Sequence, residues 1–204
     1  MPLRSASARG TLAIALALHA TAAFVPASDA AAGGAADARP PATSAMGAAR
    51  TPEGDEVAAL LASRRLIVPV AGIPRAGLRD NFNEWRGANR HEAIDIAAAR
   101  GTPVLAAGDG RVVKLFYSVY GGHTVYQFDP DDRFAYYYAH LGGYAEGLTE
   151  GRAVRRGDVL GYVGTTGNAP ADAPHLHFAI FRLGPERLWW RGTAVNPYPF
   201  LNDP

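Results

Sequence analysis

Cysteine is absent from all 204 residues, and that one absence removes several chemistries at once. No disulfide can staple the fold, no thiolate can hold a metal or attack a substrate, and no N-terminal cysteine can carry a lipid. Histidine and carboxylate remain as the metal ligands the chain can offer. A strong charge of either sign is missing too. The formal net charge is +1, from 20 Lys+Arg against 19 Asp+Glu, and no basic helix or interleaving of aromatic and basic residues supplies the footprint of a nucleic-acid binder. Nucleic acid is therefore not an expected partner. Lysine is nearly absent, with Lys114 the single one among the basic residues, a bias that points to genome composition rather than to chemistry.

Long apolar runs are also lacking. Residues 12–18 form an apolar centre after Arg4 and Arg9, but the run is interrupted at His19 and ends near Pro26, short of the roughly 20 residues a spanning helix needs. A positive start, a short apolar centre and an Ala-rich stretch through Ser28-Asp29-Ala30 are the parts of a secretory signal. Residues 1–32 are accordingly expected to be a signal peptide, with an uncleaved membrane anchor as the other reading. Residues 33–51 are Ala, Gly and Pro with little else, too apolar-poor to fold alone, and read as a linker. The expected destination is the periplasm, with secretion or membrane anchoring as alternatives and no stable span once the signal is cleaved. No internal repeat or coiled coil is apparent.

What is present begins at Pro52. Residues 52–66 read as a short helical lead-in, with acids at its start, Arg64-Arg65 at its end, and Leu60, Leu61 and Leu66 turned to a core. The folded domain is placed at 67–204, entered by a strand at 67–70. Within it the apolar runs are short and the turn signals dense. Residues 104–107, 110–119, 124–128, 134–141, 159–163 and 175–181 read as strands, separated by turns such as Gly108-Asp109-Gly110, Gly121-Gly122 and Gly167-Asn168. The expected fold class is mostly β: an antiparallel sheet or sandwich-like domain with a short N-terminal helix.

The chemistry centres on His175-Leu176-His177. On a strand both imidazoles share one face and lie about 6.6 Å apart, so one can bind a metal while the other faces a substrate. His91 and Asp95 stand four apart in Arg90-His91-Glu92-Ala93-Ile94-Asp95-Ile96. A helical His-Glu-x-x-His zinc motif would need a histidine at position 95. An extended segment instead turns Ile94 and Ile96 to the core and Asp95 away from it. His140 ends an aromatic run in which alternation puts Tyr136, Tyr138 and His140 on one face. Each segment alone also has a structural reading: Asp95 as a turn cap, His91 as a surface residue, His140 as a satisfied core histidine.

Together the segments have a recognisable look. His91-x-x-x-Asp95, Tyr138-Ala139-His140-Leu141 and His175-Leu176-His177-Phe178, in that order, resemble the lysostaphin-type (LytM-type) zinc metallopeptidases that cut peptidoglycan peptides. The similarity extends through Gly101-Thr102-Pro103-Val104, Ala107 to Val112, and Gly161 to Gly167, covering roughly residues 67–200. The resemblance implies one zinc ion per chain held by His91, Asp95 and His177, with a fourth position open to water. It also implies that His140 and His175 are the catalytic non-ligand histidines, orienting that water and shuttling its proton. Glu92 is not expected to serve as the base. Asn81, Arg90 and Tyr138 are candidates for substrate contact, while Trp85, Trp189 and Trp190 are read chiefly as packing. The implied activity is an exported zinc endopeptidase acting on stem or cross-link peptides of peptidoglycan. The alternatives are a non-catalytic regulator that activates a cell-wall amidase, and a zinc hydrolase for another exported peptide. A targeting or regulatory protein is a further expected partner.

Overall fold

The computed structural model describes residues 52–203; the expected signal peptide and linker lie outside the described residues. Helix α1 (Pro52–Ser63) carries Glu53 and Asp55 in its first turn, where carboxylates favour the positive end of the helix dipole. Its buried face is small. Leu61 is fully buried, with Val57 and Leu60 packed beside it. The helix stops three residues short of the expected 66, because Arg65 adopts φ 51 and the last amides turn back on Leu61 and Ala62. Arg64 and Arg65 therefore lie beyond the helix, and Leu66 carries the chain into the core. The expected entry strand is reduced to isolated bridges, Ile67 to Asn202 and Val70 to Val104. Pro69 between them has no N–H to extend a ladder.

A small hairpin follows, β1 (Trp85–Arg86) with β2 (Asn89–Arg90), turned at Gly87. The main sheet is then laid down by β3 (Ile94–Ala97), β4 (Pro103–Leu105), β5 (Gly110–Ser118), β6 (Gly122–Phe128) and β7 (Phe134–Tyr144). It is completed by β8 (Ala153–Val154), β9 (Val159–Val163), β10 (His175–Leu183) and β11 (Gly192–Val195). Every pairing between these described strands is antiparallel, and the principal path runs β11-β10-β7-β6-β5-β8. The mostly β, antiparallel expectation holds. The hairpin, β8 and β11 are additions that short, exposed strands gave no apolar alternation to announce.

Strand β10 is the axis of the site. One edge pairs with β7 from His177 to Arg182, while the other is shared by β3 at its start and β11 at its end. One face packs Leu176, Phe178 and Ile180 into the core with Ile94, Ile96, Tyr136 and Tyr138; the other presents His177 beside Asp95. Those two stand directly opposite each other in the register, which brings their Cβ atoms within about 5.5 Å. Alternation therefore separates a dry core from the chemistry with no special device. Among the described residues no helix is long and apolar enough to cross a membrane.

Candidate metal centre

Three side chains converge at the start of β10. His91 Nε2 lies 3.0 Å from Asp95 Oδ1 and 3.2 Å from His177 Nδ1, and His177 Nδ1 lies 3.1 Å from the same Asp95 oxygen. The His91 ring is turned by its other nitrogen, which donates to the Asn81 carbonyl at 3.1 Å and leaves Nε2 as a lone pair aimed inward. Two imidazole lone pairs and a carboxylate oxygen facing one another at such distances repel unless something positive lies among them. Zinc bonds of about 2.0–2.2 Å set at tetrahedral angles give ligand separations of roughly 3.3 Å. The triangle is close to that size, and the nitrogen-oxygen donor set is one that zinc accepts. The three residues that the resemblance implied as ligands are thus brought together as a set that could hold a metal ion.

The surroundings prepare these donors. Burial pushes the Asp95 carboxyl up, but the facing His177 and His91 rings, whenever one of them carries a proton toward it, outweigh burial and hold the group well below the usual carboxylate range. Burial pushes His177 down against the raising influence of Asp95, so its ring favours the neutral, ligating form. Asn81 is buried and works twice: its carbonyl turns His91, and its Oδ1 accepts the Asp95 backbone N–H at 3.2 Å. The expectation of Asn81 as a substrate contact is corrected accordingly, since it is buried behind the ligands and does not line the groove.

His140 and His175 stand beside the triad. Their rings are 5.0 Å apart, and His140 lies 5.6 Å from His177. His140 Nδ1 donates to the Thr166 carbonyl at 2.9 Å, and His175 Nδ1 donates to the Ala173 carbonyl at 2.8 Å. Each ring therefore keeps Nε2 as its acceptor, and His175 Nε2 sits 3.8 Å from Asp95. Burial pulls His140 down to about 4, helped by the nearby His177 and His175 rings and opposed by Thr166, so it is neutral at physiological pH.

The face assignment for β7 needs correcting. His140 does not continue the alternation of Tyr136 and Tyr138; its φ of 61 swings it from the core side to the groove, a conformation that costs a non-glycine residue about 1–3 kcal/mol. Tyr138 is fully buried, its phenol donating to Gln127 Oε1 at 2.8 Å and accepting the Ala107 N–H at 2.9 Å. It cannot contact a substrate. The tyrosine on the groove side is Tyr137, whose ring is 6.0 Å from that of His177. Arg90 does line the groove, its guanidinium stacked over Trp85 and bonded to the Asn83 carbonyl.

Sequence reasoning missed Arg86 and the role of Thr166. Arg86 Nη2 donates to the outer oxygen of Asp95 at 3.0 Å and to Glu84. The Gly87-Ala88-Asn89 turn was the available signal, since a hairpin there folds Arg86 back toward residue 95.

The comparisons agree with this geometry. The model of Peptidase family M23 matches residues 89–197, more than half of the chain and all five site histidine and aspartate positions. The chain belongs to peptidase family M23. A Bacillus subtilis L-Ala--D-Glu endopeptidase is 32% identical over 120 residues, spanning 56% of this chain and 35% of that protein. Staphylococcus simulans lysostaphin is 33% identical over 114 residues, spanning 55% of this chain and 22% of its own length. This M23 chain thus covers about a third or less of those curated relatives. In structure, the catalytic domain of lysostaphin from S. simulans matches with a TM-score of 0.52 and 27% identity, over 62% of this chain and 93% of that one.

Proposed function

We propose that this M23 chain is an exported zinc metalloendopeptidase that hydrolyses stem or cross-link peptides of bacterial peptidoglycan. The observation that carries the reading is the intact His91, Asp95, His177 triad with two further histidines, His140 and His175, whose free nitrogens border the same groove. A zinc ion held by the triad supplies Lewis acidity toward a carbonyl oxygen and makes water a stronger acid. The chain's own groups do the rest. His140 Nε2 and His175 Nε2 orient the attacking water; one of them accepts its proton, and that proton passes to the departing amide nitrogen. Their tautomers are fixed in advance by Thr166 and Ala173. Arg86 holds the Asp95 carboxylate through Oδ2, and Asn81 holds its backbone N–H. The groove is open and about 660 Å³ in volume, which suits a polymer better than a small metabolite.

Export, with the periplasm as the destination, is supported by the pattern of residues 1–32, and peptide hydrolysis by the endopeptidase names of the relatives. The test is to incubate the purified chain with cross-linked peptidoglycan, with and without a chelator, and resolve the fragments by mass. Chelator-sensitive conversion of cross-linked dimers to monomers, restored by zinc, is the expected result. A zinc-loaded protein that cuts nothing would overturn the peptidase reading in favour of a regulator of another wall enzyme.

A further inference from the structure

Beyond the metal centre, the outer face of the sheet carries a row of rings with no role in the chemistry above. His177, Ala179 and Phe181 alternate onto this face of β10. Tyr137 of β7 stands opposite Ala179, and Tyr126 of β6 stands opposite Tyr137. The ring centroids step outward from the metal ligand: His177 to Tyr137 6.0 Å, Tyr137 to Tyr126 4.6 Å, Tyr126 to Trp189 4.8 Å, Trp189 to Trp190 5.3 Å. The row ends in a slot of about 210 Å³ lined by Tyr126, Phe181, Trp189, Trp190, Arg191 and Gly192.

Packing explains only part of this. Trp189 covers a small second core of Phe128, Ala135 and Leu183, so the fold uses it. Trp190 is 62% exposed, and leaving a tryptophan in water gains nothing for stability.

We propose that this slot is a second subsite, which takes one sugar ring of the wall glycan about four extended residues from the metal centre. The inference rests on the peptidoglycan reading and deepens it. A pyranose offers a flat face of C–H groups to an aromatic ring and a rim of hydroxyls to polar neighbours, which matches aromatic walls edged by Arg191 and backbone. A slot of this size holds a ring, not a strand or helix of a partner. Aromatic boxes also hold quaternary ammonium groups, but Arg191 among the lining residues brings a positive charge that disfavours a cation. The spacing adds a constraint on the substrate. Phe181 lies four residues along β10 from His177, about 13 Å at the rise of an extended chain. A stem peptide laid along β10 with its sugar in the slot therefore presents a bond about four residues from that sugar to the metal centre, not the bond next to it.

The full chain, stripped of metal, is titrated with peptide-free glycan strands of alternating N-acetylglucosamine and N-acetylmuramic acid, followed by tryptophan fluorescence and calorimetry. Glycan binding without metal is expected, weakened about tenfold or more by Trp190→Ala with no change in melting temperature. The ratio of kcat/KM for glycan-attached over sugar-free cross-linked peptide falls by the same factor. Absence of glycan binding in the wild type, equal binding by the variant, or preference for a tetraalkylammonium probe overturns the subsite. The two readings fail separately. A chain that binds glycan yet cuts nothing keeps the slot and loses the peptidase; one that cuts without binding does the reverse.

Discussion

Asn81 shows how much of a metal site lies in residues that never touch the metal. Its carbonyl sets the His91 tautomer, and its side chain fixes the backbone of Asp95. Asn81→Ala keeps the first contact and loses the second, so zinc affinity is expected to fall about 10-fold to 100-fold, read by competition against a chromogenic chelator. His140 makes a prediction about pH. Its folded value of about 4 lies below the ordinary 6.5 because of burial first and neighbouring rings second. Above pH 6.5 the ring is neutral in both folded and unfolded chains. Between 6.5 and 4 the unfolded chain takes up a proton that the folded chain refuses, so stability falls with pH across that window and no further below it. The urea midpoint of the metal-free protein should therefore drop between pH 7 and pH 4.5, with His140→Asn flattening the slope. The flattening is partial, because His177 is shifted the same way.

At the scale of elements, the site depends on where strands break their own rules. The sequence made the dry face of β10 and β3 readable, because Ile94, Ile96, Leu176 and Phe178 alternate with polar neighbours. It could not announce the left-handed turn at His140, which local pattern disfavours and tertiary contacts impose. One such contact is Gly122, at φ 63, where an added Cβ would meet Thr166 Oγ1 at 2.0 Å and its carbonyl carbon at 2.4 Å. Thr166 also receives the His140 Nδ1–H. Gly122→Ala is expected to cost about 1–3 kcal/mol of stability and to lower kcat about tenfold or more, while zinc content stays the same. Unchanged kcat in a folded variant would show that Thr166 does not set His140. Tyr138→Phe separates fold from chemistry in the other direction. It strands the buried Ala107 N–H and Gln127 Oε1, costing about 1–3 kcal/mol, with kcat on peptidoglycan unaffected at temperatures well below melting.

For the whole molecule, alternation placed Asp95 and His177 off the core face but left each segment a structural reading, and only the family resemblance joined His91, Asp95 and His177 into one ligand set. The boundary of the peptidase domain was harder to read, because the lead-in looked like a separate helical segment. Its leucines argue otherwise. Leu61 and Leu66 are fully buried in the same cluster as Ile94, Phe178 and Tyr136, and a Cβ placed on Gly108 would lie 2.8 Å from Leu66. The helix is thus part of the core that supports β10, although it contributes no atom to the metal centre. Leu61→Ala in the full chain should cost about 2–5 kcal/mol, a fall in melting temperature of roughly 5–15 °C for a domain of this size. Because the cavity opens on the core side of the sheet, zinc affinity and kcat at low temperature should match the wild type. Asn81→Ala differs in that zinc affinity falls as well as stability, because the Asp95 N–H loses its acceptor beside the metal centre. If Leu61→Ala instead left the melting curve in place, the helix would be an attachment rather than a member of the core, and the domain would begin after it.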